Sequence, residues 1–225
     1  MKKSIIVLVL LLVNIFSTIA QESKYYKAMQ KAVATLDTTA QESTYLFLKN
    51  TFERIALAEK KEWLPYYYAA YCAMRITYRE KDLTKLDMKA DIAQAFLEKA
   101  DSLNPKNSEI YCVKAMILYS RIEVDMMSRG PKYSMMGSQI VEEAIALDAT
   151  NPRPYLLIAD GKYSLPPQFG GDKKSGCEVF AKADQIYVKN PPKDDILPRW
   201  GRKKLDRMLK ECEVFSPIVK AKSQP

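Results

Sequence analysis

The sequence predicts an all-α protein, an α-solenoid in which helical hairpins stack on one another. Only 7 of its 225 residues are glycine, a composition that favours helix. No stretch of useful length shows the alternation of apolar and polar residues that marks a strand. A tyrosine followed four residues later by alanine also occurs three times, with successive tyrosines 45 and 44 residues apart, at Tyr66/Ala70, Tyr111/Ala115 and Tyr155/Ala159. Periods of about 20–50 residues are typical of repeat proteins.

Apolar residues at three- and four-residue spacings predict nine helices. Pro65 suits a first helical turn, Pro105 stops the fourth helix, and Ser108 and Asp172 are natural N-caps. The predicted helices are Ser23–Leu36, Thr44–Lys60, Pro65–Tyr78, Ala90–Leu103, Ser108–Arg121, Gln139–Leu147, Pro152–Tyr163, Lys173–Tyr187 and Pro198–Glu213.

Three predicted connections, Tyr78–Met88, Ile122–Gly137 and Ser164–Asp172, are longer than most loops between helices. The second carries two methionine pairs within Met126–Met136, which could hold Cu(I), form an adaptable contact surface or fill the core. The third contains Gly170-Gly171, expected to adopt backbone angles that other residues avoid. Because the Lys-Ser/Thr ending of a phosphate-binding loop is missing, that function is not indicated.

The first twenty residues have the pattern of a secretory signal peptide. Lys2 and Lys3 precede an apolar run from Ile5 to Val13, and small residues lead to a predicted cleavage after Ala20. We therefore expect residues 1–20 to be a signal peptide, 21–215 one solenoid domain and 216–225 a flexible basic tail. The mature protein is expected in the periplasm or secreted, without a membrane span.

The chain contains no histidine, which removes the usual base of Ser-His and Cys-His nucleophile pairs and the commonest metal ligand. Glu142 and Glu143 are adjacent, so they point in different directions from a helix and make a poor acid–base pair. The sequence predicts no catalysis, metal or cofactor.

The sequence has four cysteines, which allow three disulfide pairings: Cys72, Cys112, Cys177 and Cys212. Their apolar neighbours favour buried thiols.

The second helices of the predicted pairs carry Ala93, Leu97 and Ala100, then Val141 and Ala144. This spacing resembles the small–large–small signature of tetratricopeptide repeats, although each repeat is roughly ten residues longer than the family pattern. The segments Pro167–Lys173 and Pro198–Gly201 further resemble exported tetratricopeptide-like proteins of Bacteroidota-type bacteria.

The resemblance implies a concave groove lined by the first helix of each pair, which would bind a protein or peptide. Carried over position by position, the groove residues are Tyr67, Tyr71, Arg75, Met116, Tyr119, Arg153, Asp160 and Tyr163.

Charge suggests a second binding surface. Residues 170–225 carry 13 basic and 8 acidic side chains, and Lys203, Lys204, Arg207 and Lys210 form a basic stripe at helical spacing. A solvated helix face, an acidic partner and an anionic surface all fit this stripe, whereas no motif indicates nucleic acid. The alternative function is therefore a structural subunit of a cell-envelope assembly, bound through its loops and basic C-terminal helix.

Overall fold

The computed structural model describes residues 24–215 and confirms the all-α class: this part of the chain contains no strand. The predicted signal peptide (1–20) and basic tail (216–225) lie outside the described residues. The helices are α1 (residues 24–38), α2 (Glu42–Ala58), α3 (Trp63–Thr77), α4 (Leu86–Leu103), α5 (Ser108–Ser120), α6 (Met126–Leu147), α7 (Arg153–Ser164), α8 (Lys173–Lys189) and α9 (Arg202–Cys212). Short 3₁₀ turns lie at Leu83–Lys85, Arg121–Val124 and Pro167–Phe169.

Helices that follow one another in sequence pack side by side, most extensively α2 with α3, α3 with α4, α5 with α6 and α7 with α8. The first helices α3, α5 and α7 also contact each other in succession, so they form a row. The repeated alanines Ala70, Ala115 and Ala159 are all 0% exposed, as expected where a larger side chain would overpack the contact. One core cluster spans α1 to α5, and a second lies between α7, α8 and α9.

The prediction of a loop over Ile122–Gly137 is wrong, because α6 begins at Met126 and continues to Leu147. Asp125 caps this helix by accepting a hydrogen bond from the Ser128 amide. Pro131 lies inside the helix, where a proline ring normally clashes with the Cβ of the preceding residue. That preceding residue is Gly130, which has no Cβ, so this clash is absent, although the proline still has no N–H to donate to the Met127 carbonyl.

Some helix ends lie where the sequence predicts them, and others lie a few residues away. Asp172 caps α8 through the Ser175 amide, as predicted. The cap of α5 is Asn107 rather than Ser108, whose hydroxyl instead donates to the Ala144 carbonyl at 2.8 Å. The last helix begins at Arg202 instead of Pro198, because Gly201 adopts a φ of 100° that ends the preceding segment.

Gly170 has a positive φ, 85°, which confirms for this residue the prediction that it adopts backbone angles other residues avoid. Gly171 does not have a positive φ. Within the described residues, no helix combines the length and apolar character needed to cross a bilayer.

Candidate functional site

A large open groove runs along the row of first helices. It is bounded by α3, α5, α6 and α7 together with the start of α2, the ends of α1 and α8, the segment 191–201 and the start of α9. Its volume is about 1730 Å³, above the ~300–1,000 Å³ of most small-molecule sites. The groove therefore has room for a large ligand.

Five of the eight predicted groove residues line this groove: Tyr71, Arg75, Met116, Tyr119 and Asp160. They come from three different helices, α3, α5 and α7. The groove therefore brings together side chains that are up to 89 positions apart in the sequence.

The other three predicted residues do not line the groove. Tyr67 is 0% and Arg153 is 4% exposed, because both belong to a buried polar network and do not face the groove. Tyr163 packs with its ring against Phe180 and Phe215, at centroid distances of 6.1 and 6.4 Å. It therefore lies towards α8 and the C-terminal end of the described chain.

The buried network joins three helices beneath the groove. Arg153 forms an ion pair with Glu109 at 2.7 Å, and Tyr67 donates to the other oxygen of that carboxylate at 3.0 Å. Arg153 also donates to the Pro198 carbonyl. Burial raises the pKa of the Glu109 carboxyl and Arg153 opposes this shift, while the Glu109 charge helps raise the pKa of the Arg153 guanidinium. The network fixes α3, α5 and α7 relative to the segment 191–201.

Aromatic side chains form one wall of the groove. The rings of Tyr71 and Trp200 stack with centroids 5.1 Å apart and an angle of 26° between their planes. Tyr78 donates to the Met116 carbonyl at 2.9 Å, which joins α3 to α5. Burial raises the pKa of Tyr71 and of Tyr78, so both hydroxyls are neutral at pH 7.

On the opposite side of the groove, a glycine in α6 leaves the space that the Tyr119 ring occupies. A Cβ added to Gly137 would lie 2.2 Å from a carbon of the Tyr119 ring, far inside contact distance. Gly137 thus lets α6 approach α5 closely enough for the tyrosine to lie against it.

Sequence analysis missed several groove residues, among them Tyr45, Tyr78, Arg79 and Trp200. The spacing of Arg79 and Tyr78 could have indicated them, since they follow Arg75 and Tyr71 by four and seven residues and continue the same face just past the end of α3. Tyr45 lies on α2 and Trp200 just before α9, outside the repeat register, and no local signal places them here.

The predicted basic stripe divides into two parts. Lys203 and Lys204 lie at the groove, where Lys204 forms an ion pair with Asp160. Arg207 and Lys210 are exposed further along α9, and Arg207 lies 3.9 Å from Glu211. Burial raises the pKa of Asp160, and Lys204 opposes that shift.

In the methionine-rich segment, Met126, Met127 and Met135 are all exposed, and Met126 also lines the groove. No cluster of three or more His, Cys, Asp or Glu side chains suited to a metal ion occurs within residues 24–215.

The prediction of four buried thiols is wrong for one pair. Cys177 and Cys212 form a disulfide that ties α8 to α9, while Cys72 and Cys112 are free and buried. Apolar surroundings favour a free thiol and a disulfide alike, so composition around each cysteine did not identify the pair.

Comparison with solved structures gives one informative similarity. The HusA haemophore from Porphyromonas gingivalis is 29% identical, with a TM-score of 0.75 over 89% of this chain and 95% of the haemophore. No family model matches the chain, and no curated protein matches its sequence. The haemophore similarity supports a binding role rather than catalysis.

Proposed function

We propose that this protein is an exported carrier that binds haem in the groove. The observation that carries the proposal is the similarity to the HusA haemophore, which extends over nearly the whole of both chains. The signal-peptide pattern of residues 1–20 supports export.

The chemistry of the groove fits an amphiphilic, flat ligand. Trp200, stacked on the buried Tyr71, offers an aromatic surface, and the partly exposed Ile122, Leu157 and Ile158 add apolar contacts. Seven basic and four acidic side chains line the groove, an excess of positive charge that favours an anionic ligand. A haem has both properties, because its ring is apolar and its two propionates are negatively charged.

The protein holds such a ligand mainly through the ring and its periphery. The chain has no histidine to bind the iron. Burial raises the pKa of Tyr71 and Tyr78, so both hydroxyls are protonated in the ligand-free groove. We therefore expect a metal-free porphyrin to bind as well as haemin.

The experiment is a titration of the purified protein with haemin and with protoporphyrin IX. Binding is followed by absorbance and by quenching of tryptophan fluorescence. In a Trp63→Phe variant, Trp200 in the groove is the remaining tryptophan of the two in the chain. We expect saturable binding of one ligand per protein and strong quenching of Trp200. No binding at micromolar ligand would contradict the proposal.

A matched pair of variants tests the location. Gly161 lines the groove, and a Cβ there would meet nothing within 4 Å, so Gly161→Phe places a ring in the open groove without entering the core. Ala146→Phe adds a ring at an exposed position of α6 outside the groove. Loss of porphyrin binding in the first variant alone would support the groove; equal binding by both would contradict it.

A second proposal is that the protein is a tetratricopeptide-like stack that binds a peptide in the same groove. The burial of Ala70, Ala115 and Ala159 at helix contacts favours it. A crosslinking pull-down from the native cell envelope tests it: a dominant protein partner lost with Gly161→Phe supports peptide binding in the groove. A partner lost only when Arg207 and Lys210 are replaced supports the envelope-subunit alternative.

A further inference from the structure

Four arginines line the groove, and they differ in their partners. Arg199 pairs with Asp37 and Asp195, and Arg202 pairs with Asp184 and Asp206. Arg75 and Arg79 form no ion pair with any residue in the described range 24–215. Arg75 lies in the last turn of α3, and Arg79 follows four residues later, just after the helix ends at Thr77.

Both unpaired guanidinium groups lie against the same aromatic ring. Their central carbons are 5.5 Å (Arg75) and 4.9 Å (Arg79) from the centre of the same ring, Tyr45. Arg79 donates to the backbone carbonyls of Arg75 and Ala40, at 2.7 and 2.9 Å. These bonds hold Arg79 in place but leave its charge without a counterion.

Arg75 is the more constrained of the two. Its Nε is buried and has no hydrogen-bond partner. The groove carboxylate Asp160 binds Lys204 and lies beyond ion-pair distance of Arg75. Arg75 is only partly exposed, and Asp160 acts on it without forming a direct ion pair, so an anion that enters the groove meets a guanidinium free to bind it.

We infer that Arg75 and Arg79 form a carboxylate-binding subsite, which takes the acidic groups of the ligand while its apolar ring lies against Tyr71 and Trp200. The planar guanidinium presents paired N–H donors that match a carboxylate. The inference rests on the proposed function, and it adds that the ligand class is a porphyrin with free carboxylates.

The test compares protoporphyrin IX with its dimethyl ester, which has the same ring but no negative charge. Both are titrated under identical solvent conditions into the wild-type protein, Arg75→Gln and Arg79→Gln. A charge-assisted contact predicts that the diacid binds the wild type roughly 10- to 100-fold more tightly than the ester. We expect each Arg→Gln variant to lose about tenfold in affinity for the diacid and little for the ester.

Arg54→Gln is the matched control, because Arg54 is exposed on α2 and lies outside the groove. Circular dichroism establishes that each variant is folded. Should Arg75→Gln fail to fold, the diacid-to-ester ratio of the wild type and the Arg79→Gln variant decide the question.

The outcomes separate this inference from the proposed function. Equal binding of diacid and ester by the wild type, or an Arg79→Gln variant that behaves like Arg54→Gln, would overturn the subsite while leaving porphyrin binding intact. If neither compound binds the wild-type protein, the proposed function fails and the subsite fails with it.

Discussion

Trp200 donates its indole N–H to the hydroxyl of Tyr67 at 2.6 Å, although 133 positions separate the two residues in the chain. Tyr67 in turn donates a hydrogen bond to Glu109, and Tyr187 donates to the Trp200 carbonyl at 2.6 Å. Trp200 is therefore held from both its side chain and its backbone. Since its ring stacks on Tyr71, the buried network below the groove positions the aromatic wall above it.

Tyr67→Phe removes this connection while keeping the ring. The change leaves the Trp200 indole and one Glu109 oxygen without their buried partner, so we expect the free energy of unfolding to fall by about 1–3 kcal/mol. Urea unfolding followed by circular dichroism measures the loss. Tyr66→Phe is the control, because Tyr66 is also buried but its hydroxyl makes no hydrogen bond within the described chain. Equal stability of the two variants would contradict the role given to the Tyr67 hydroxyl.

Tyr67 also shows where the sequence-based prediction of the site reaches its limit. It is four residues before Tyr71 and eight before Arg75, so the repeat register places all three on one helix face. The segment 191–201 covers the first of them: Trp200 bonds to Tyr67, and Ile196 accepts a hydrogen bond from Tyr68 at 2.8 Å. A register describes the neighbouring repeats, and it cannot anticipate a distant segment that folds over one end of the groove.

Arg153 was misplaced for a related reason. Its partner Glu109 is 44 residues away, and no local pattern indicates that the two charges pair in the interior. The fold was easier to predict, because helical periodicity is local. The exception was the start of α6, where Pro131 is a strong sign of a break and Gly130 removes only the clash with a preceding Cβ.

The Cys177–Cys212 disulfide closes a sequence separation of 35 residues. Loop-closure entropy predicts that Cys177→Ala with Cys212→Ala lowers the free energy of unfolding by about 4 kcal/mol. Thermal unfolding of the wild type and the double variant measures this difference. Cys72→Ala is not a suitable control because that residue is fully buried, so wild-type protein unfolded in the presence of reductant provides the comparison instead.

A thiol titration checks the pairing itself. In denaturant without reductant, two thiols per chain should react, Cys72 and Cys112, and four should react after reduction. Four reactive thiols before reduction would contradict the disulfide.

Gly137→Ala tests the close packing of α6 on Tyr119. The new Cβ would lie 2.2 Å from the ring, so Tyr119 must move into the groove or the helices must separate. We expect a loss of about 1–3 kcal/mol in the free energy of unfolding and weaker porphyrin binding. Gly161→Ala is the control, because its Cβ has open space and alanine is the better helix former by ~0.5–1 kcal/mol. A Gly137→Ala protein as stable as Gly161→Ala would show that the ring and helix adjust without cost.

Asp160→Asn tests how the groove's own negative charge affects its ligand. Asp160 lines the groove opposite an anionic ligand, and the change removes that charge and releases Lys204 from its ion pair. A like charge at this range costs on the order of 1 kcal/mol, so we expect the diacid porphyrin to bind about three- to tenfold more tightly. The uncharged dimethyl ester should show little change. Glu143→Gln, an equivalent change at an exposed position outside the groove, is the control.

The same carboxylate predicts the direction of the pH dependence. Burial raises the pKa of Asp160, with Lys204, Arg207 and Arg75 opposing, and burial also raises the pKa of Glu123 in the groove. As the pH falls through these raised values, both side chains take up protons and the groove becomes more positive. Affinity for the diacid should therefore rise on mild acidification, until the ligand's own carboxylates become protonated. Asp160→Asn should reduce this rise, and an unchanged pH profile would show that Asp160 does not act on the ligand.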